Sequence, residues 1–240
     1  MLINKSSFQS FALLIIFLSA GCSQADEEHY TYTQVNRDGI GKIYMGREIS
    51  HVIDHRGIDW LDRPKREQEE RTDLLLESLP LGADSVVVDL GAGSGYFSLL
   101  IAAKLPQGRV IAVDIQQEML DRIDERARLA GIDNIELLLA TETDPRVPAD
   151  SADLVLIVDA YHEFSYPREV MQGIARGLKP GGLLYHLEYR AEDPDLPILR
   201  LHKMTEEQTI MEVEAAGLDW VETLDFLPRQ HILIFTKPPA

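Results

Sequence analysis

Residues 86–97, VVVDLGAGSGYF, constrain this chain more than any other stretch. A branched apolar run ends in Asp89-Leu90, passes straight into Gly91, Gly93 and Gly95, and gives way to a helical pattern at Tyr96. Glycines at such a bend let the backbone approach a ligand closely, and the first turn of the following helix offers it unpaired N–H groups. A strand that feeds its loop directly into a helix is the opening of a βαβ unit, so a parallel sheet with crossover helices is expected.

The following hundred or so residues repeat that alternation. Short, branched apolar runs at 85–90, 109–114, 135–139, 153–158 and 183–188 read as strands buried on both faces, separated by helical patterns at 96–105, 117–130 and 168–178. Then the spacing changes. Thr205 and Gln208 make a capping box for a helix that Gly217 ends, and strands at 220–225 and 231–236 are joined by a link too short for a parallel crossover. The expected fold is therefore α/β: a Rossmann-like doubly wound sheet, mostly parallel, with an antiparallel C-terminal hairpin. Ahead of it, residues 65–79 read as one helix, with Arg66/Glu70 and Glu67/Arg71 as i,i+4 pairs and Leu74, Leu75, Leu76 and Leu79 as its apolar face.

The N-terminal region divides in two. Lys5, an apolar run at 11–18 and the small residues Ser19, Ala20 and Gly21 precede Cys22, the only cysteine of the 240 residues. The run is too short to span a bilayer and reads as a signal peptide over 1–21, with lipoprotein-type cleavage before Cys22 expected and ordinary secretion as the alternative. An exported protein of the periplasm or cell envelope follows, with membrane attachment only through a lipid on Cys22. Residues 22–64 are polar and broken by Gly39, Gly41, Gly46 and Gly57, so an irregular arm with short helical turns is expected, and residues 65–240 are the α/β domain. Twenty-three Lys plus Arg against forty Asp plus Glu leave a formal charge of -17. Nucleic-acid backbones and anionic lipid surfaces are repelled on average, so the expected partner is a small-molecule substrate and no nucleic acid.

Spacing separates two users of such a glycine loop. The dinucleotide fingerprint places its third glycine where Tyr96 stands, whereas here the pattern is GxGxG with Asp89 in front. In this the chain resembles the class I S-adenosylmethionine-dependent methyltransferases, whose first motif Asp89-Leu90-Gly91-Ala92-Gly93-Ser94-Gly95 matches. Asp114, ending the second strand in VIAVDIQ, Asp159, ending the fourth in DLVLIVDAYHEF, and the Lys179-Pro180-Gly181-Gly182 turn extend the match. The resemblance implies S-adenosyl-L-methionine as cofactor. It puts Asp89 on the cofactor's ammonium, Gly91, Ala92, Gly93 and Gly95 against its amino-acid chain, and Asp114 with Ile115 at the ribose. Thr141 and Glu142 fall near the adenine, where the family commonly has an acid followed by a small residue. Tyr44 to Glu48, Trp60-Leu61 and the stretch 225–231 look like those of a narrower group of exported bacterial methyltransferase-domain proteins.

The loop after the fourth strand faces the cleft beyond the sheet's carboxyl edge, so Asp159, Tyr161 and His162 are the catalytic candidates. His162 or Tyr161 would take or position a proton if the acceptor is a hydroxyl or amine. His186, Glu188, Tyr189 and Arg190 leave the fifth strand on the same edge, and Tyr44 and Arg47 lie in an arm able to cover the cofactor; both sets serve equally as packing. The seven histidines lack close ligand spacing, so no metal is expected. Two other classes stay open: a non-catalytic lipoprotein that keeps the fold as a sensor or scaffold, and an aminopropyl transferase or nicotinamide oxidoreductase.

Overall fold

A computed structural model describes residues 29–239, so the predicted signal peptide and Cys22 lie outside the described residues. Seven strands form the main sheet: β4 (Val86–Leu90), β5 (Arg109–Asp114), β6 (Ile135–Leu139), β7 (Ala152–Val158), β8 (Leu178–Tyr189), β9 (Asp219–Leu224) and β10 (Gln230–Thr236). Their order is β6-β5-β4-β7-β8-β10-β9. Neighbours from β6 through β8 pair in parallel, and β10 runs antiparallel to both β8 and β9. The expected doubly wound sheet with an antiparallel C-terminal hairpin is what forms. Strand order reverses between β4 and β7, where the loops leaving the two strands turn to opposite faces and open a crevice.

Alternation along each strand fills both faces. Val88, Leu90, Ile111, Val113, Val155 and Ile157 join one core with Val170, Met171 and Ile174 of a helix at Pro167–Gly177. Val87, Val110, Leu154 and Leu156 join the other with Leu75, Phe97 and Ile101. Four helices lie N-terminal to that one along the sheet and its approach: α2 (Arg66–Glu70), α3 (Thr72–Ser78), α4 (Tyr96–Ala102) and α5 (Gln117–Ala130). A short α1 (Ile58–Leu61) precedes them, the Pro167–Gly177 helix is α6, and α7 (Glu206–Glu214) follows. Thr205 accepts the Gln208 N–H at 3.1 Å, the cap expected of it.

Two expectations change. The helix foreseen over 65–79 is broken into α2 and α3 by Arg71, which sits in the left-handed region at φ 53°. The Arg66–Glu70 pair forms at 3.0 Å, whereas Arg71 turns to Asp73 at 2.7 Å instead of Glu67. The arm is not merely irregular with helical turns either. It carries an antiparallel sheet of β1 (Tyr30–Tyr32), β2 (Gly39–Tyr44) and β3 (Arg47–Ser50), with a small core of Tyr30, Tyr44 and Ile49. Buried polar contacts fasten this sheet to the domain. The Tyr30 hydroxyl donates to Glu169 on α6, and Arg47 donates to both carboxylate oxygens of Glu212 on α7 at 2.7 and 2.8 Å. Among the described residues no helix is long and apolar enough to cross a membrane.

Candidate active site

The glycine loop after β4 is shaped by what cannot fit there. Gly91, Gly93 and Gly95 have φ of 72°, 53° and 76°, a region that costs residues with a Cβ. A Cβ on Gly91 would meet that of Ala160 at 2.8 Å, and one on Gly93 would meet Leu61 at 2.9 Å. Gly95 instead faces Ile123 of α5 at 2.7 Å and sets the close packing of α4 on its neighbour. Gly91 and Gly93 therefore line a cradle, which opens into a cavity of about 840 Å³ counting its mouth.

Asp114, Ile115, Thr141, Glu142 and Asp159 also line that cavity, so most of the predicted cofactor residues share one wall set. The Asp114 carboxylate accepts the Gly93 N–H and the Gln116 N–H, each at 2.9 Å, which ties the end of β5 to the glycine loop. Burial raises its pKa, against those backbone donors. Thr141 accepts the Asp144 N–H at 3.0 Å and so shapes the turn that presents Glu142.

Three predicted cofactor residues lie elsewhere: Gly95, at the contact with α5, and Asp89 and Ala92. Asp89 is 3% exposed and is not part of this cavity's lining; its carboxylate takes the Ser98 hydroxyl at 2.5 Å beneath the loop. Burial pushes its pKa up to about 6, with Ser98 and the Arg66 charge opposing. Its contacts are those of an anchor for the loop rather than of a group facing a ligand's ammonium. Ala92 is likewise buried and outside the lining, in a small core with Leu120 and Ile123.

A second cavity, of about 1040 Å³, adjoins the first and shares Ile53, Leu61, Val158 and Asp159 with it. Its other walls come from the arm (Trp60, Arg63), from α2 (Arg66, Glu70), from Tyr189, from His162 and from the segment 197–202. Glu70 closes the polar end by accepting from Arg63, from Arg66 at 3.0 Å and from the Tyr189 hydroxyl at 2.6 Å. Asp159 stands between the two cavities at φ 50°. One carboxyl oxygen accepts from Gln230 at 2.9 Å, and the other is buried with no hydrogen-bond partner. Burial, then the nearby Glu70 and Glu188 charges, raise its pKa well above the ordinary carboxyl value.

Of the other catalytic candidates, only His162 reaches a cavity. Its Nδ1 lies 2.6 Å from Glu188 and its backbone N–H donates to the same carboxyl group at 3.2 Å. Burial drives both side chains toward their neutral forms, taking His162 down to about 4 and Glu188 up to about 8. Tyr161, also expected to be catalytic, is fully buried and lines neither cavity, with its ring against His186 and Phe164. His186 is buried beside it. Arg190 donates to the Leu227 and Asp225 carbonyls at 3.0 and 3.1 Å rather than pairing with Glu188. Tyr44 and Arg47 cover no ligand space; residues 52–61 of the arm do that instead.

Sequence reasoning missed Glu163 and His202. Glu163 follows His162 in a turn, and one of its oxygens accepts the Ile53 N–H at 3.0 Å while the other is buried without a partner. Burial raises its pKa to about 7, with His162 opposing. His202 comes from the link between β8 and α7, and its Nδ1 lies 3.2 Å from His162 Nε2. The expectation that no histidines gather into a ligand set rested on sequence spacing; the fold brings His162, Glu163 and His202 within 4.8 Å of one another.

Residues 87–182 match the methyltransferase-domain family. The demethylmenaquinone methyltransferase of Clavibacter sepedonicus is 35% identical over 114 residues, covering 48% of this chain and 44% of its own. The uncharacterized methyltransferase YcgJ of Bacillus subtilis is 30% identical over 124 residues, covering 51% of this chain and 48% of its own. The chain thus spans about half the length of the curated relatives it matches. A crystal structure of an S-adenosylmethionine-dependent methyltransferase from Aquifex aeolicus superposes over 77% of this chain and 98% of its own, with a TM-score of 0.72 at 23% identity. The sheet order, the glycine loop and these likenesses together give the chain the fold of the class I S-adenosylmethionine-dependent methyltransferases, and its central residues 87–182 match the methyltransferase-domain family.

Proposed function

We propose that this protein transfers a methyl group from S-adenosyl-L-methionine to a small acceptor. The observation that carries the reading is the pair of adjoining cavities at the strand-order reversal, divided by Asp159 and sharing its wall. A donor in one and an acceptor in the other come together beside Asp159, where the cavities adjoin, and an in-line displacement needs that direct approach. The residues fit the donor. Gly91 and Gly93 leave space that a Cβ would fill, Asp114 has lone pairs left for ribose hydroxyls, and the unpartnered Asp159 oxygen awaits a polar group. When bound, S-adenosylmethionine supplies an activated methyl on a sulfonium whose charge is lost in the reaction. The chain's own part is to align and to exclude water, since such a transfer builds no charge that requires an oxyanion hole.

On the acceptor side, the Trp60, Leu61 and Ile53 surfaces select an apolar body, and His162 and Asp159 receive the polar end. The size of the second cavity and the net charge of -17 favour a small neutral or cationic acceptor over a nucleic acid. Export of the chain, with a lipid on Cys22 after cleavage of 1–21, belongs to the same proposal and is checked by mass spectrometry of the mature N-terminus.

The test is titration calorimetry with S-adenosylmethionine on the full chain and on Asp114→Asn. Losing a charged acceptor for the ribose is expected to weaken binding about 10- to 100-fold, from the ~1.5–3 kcal/mol of a charge-assisted hydrogen bond. A folded protein that binds no donor, or an Asp114→Asn variant that binds it as tightly, refutes the reading.

A further inference from the structure

Where the two cavities adjoin, three side chains, Glu163 lining the first and His162 and His202 lining the second, stand in an arrangement that their own hydrogen bonds do not account for. His162 Nε2 lies 3.2 Å from His202 Nδ1, Glu163 Oε1 lies 3.8 Å from the first and 3.7 Å from the second. The two histidines can satisfy each other with one shared proton. Glu163 Oε1 is left out: both imidazole nitrogens are beyond hydrogen-bond range, and no other donor reaches it. Its side chain is only 10% exposed, so an unpaired carboxylate oxygen there carries a desolvation cost that folded proteins ordinarily avoid.

We propose that His162 Nε2, Glu163 Oε1 and His202 Nδ1 form a zinc site with its fourth position open toward the acceptor cavity. Ligands about 2.0–2.2 Å from a tetrahedral zinc lie roughly 3.3–3.6 Å from one another, which brackets the mean of the three separations with shifts of a few tenths of an ångström. Two imidazoles and one carboxylate are a donor set that zinc takes when it keeps an open position. The supporting contacts point the same way. His162 Nδ1 is held by Glu188 at 2.6 Å, which turns Nε2 toward the other two ligands, and Glu163 Oε2 is fixed by the Ile53 N–H, which turns Oε1 inward. A carboxylate behind a ligating histidine is the usual second partner at such sites. A cation here satisfies three inward-facing lone pairs at once.

The site stands on these residues alone; its use rests on the methyltransferase reading. His162 and His202 both line the second cavity, so the open position faces the acceptor. An acceptor hydroxyl bound there through oxygen breaks its O–H bond, keeps the electron pair on the metal-held oxygen and releases the proton to solvent water. No general base in the protein is then required.

The experiment uses the full chain stripped with chelator, titrated with Zn²⁺ alone and separately loaded with Co²⁺, alongside His202→Ala and Glu163→Gln. One zinc per chain is expected, with affinity falling about 100-fold or more in either variant, at or beyond what loss of a supporting partner costs. Bound Co²⁺ is expected to give the intense visible bands of a tetrahedral site. Equal zinc binding by the parent and both variants, or the weak bands of six-coordinate Co²⁺, overturns the proposal. Calorimetry with S-adenosylmethionine on the stripped protein and on His202→Ala keeps the two ideas apart. Retained donor binding shows that both are folded and leaves the methyltransferase reading intact whatever the zinc result, and absent donor binding in a protein that holds zinc counts against that reading alone.

Discussion

Asp89 offers the sharpest check on how burial and charge are balanced beneath the glycine loop. It is fully enclosed, its pKa is pushed up from 3.8 to about 6, and its close partner is the Ser98 hydroxyl at 2.5 Å. The folded state therefore binds a proton more tightly than the unfolded chain does. Below pH 3.8 both states hold the proton and the carboxyl costs nothing; as pH rises through about 6 the folded protein must carry a buried charge that the unfolded chain carries in water. At about 1.4 kcal/mol per pH unit across that interval, ionising Asp89 removes about 3 kcal/mol of stability. Asp89→Asn keeps the shape and leaves an amide oxygen for Ser98, so the penalty disappears. Urea unfolding of the ligand-free protein is expected to show the variant more stable than the parent by about 1–3 kcal/mol near pH 8, the gap closing toward pH 4. The other buried acids, Asp114 and Asp159 among them, affect both proteins and largely cancel in the difference. A variant that is less stable than the parent, increasingly so as pH rises, would mean that ionised Asp89 has a strong cationic partner in the fold, and the burial argument fails.

Other changes probe the cradle, the arm and a helix end. Gly93→Ala forces a Cβ into the left-handed region and against Leu61 at 2.9 Å, so thermal unfolding is expected to drop by about 2–8 °C, from ~1–2 kcal/mol of backbone cost, with weaker donor binding by calorimetry. Arg47→Ala strands Glu212, whose side chain is fully buried, and urea unfolding is expected to lose about 3–5 kcal/mol; Arg47→Ala with Glu212→Gln is expected to recover part of it. Thr205→Ala removes the cap on α7 and costs about 1 kcal/mol in the same assay, with no change in donor binding.

What could be read from the sequence, and what could not, follows the range of the interactions involved. The bounds of β5, α5 and β6 coincide with the expected 109–114, 117–130 and 135–139, because a doubly buried strand and an amphipathic helix announce themselves through local periodicity. Gly91 and Gly93 were legible for the same reason, since a loop of that length between strand and helix has few ways to turn. Arg71 was not: nothing in its neighbours forbids helix, yet its backbone turns into the left-handed region between α2 and α3. The arm's sheet escaped because β1 to β3 bury only a few side chains and pair through polar, glycine-broken segments. Asp89 and Asp114 look alike as strand-end acids, yet one lies beneath the loop and the other borders the cavity. His162 and His202 are 40 positions apart, and only the return of the β8–α7 link over the sheet edge joins them.

The arm also changes how the site should be understood. Arg47 and Ser50 both donate to the His162 carbonyl at 3.2 Å, and the Ile53 N–H holds Glu163. Gln116, after β5, closes the circuit by donating to the Ile53 carbonyl and accepting the His55 N–H, each at 2.9 Å. The turn that carries His162 and Glu163 is thus fixed from outside the sheet by a segment whose own fold depends on Glu169 and Glu212 across the domain. On the proposed reading the strand ends supply the donor side with few additions, through Gly91, Gly93 and Asp114. The acceptor side has no such template: beside Val158, Asp159, His162, Tyr189 and the Arg66–Glu70 pair of α2, it draws on residues 53–63 and 197–202, which lie outside the main sheet. On that same reading residues 197–202, which line the second cavity and not the first, help set the acceptor, and exchanging that segment between related chains is expected to move substrate preference while leaving donor affinity in place.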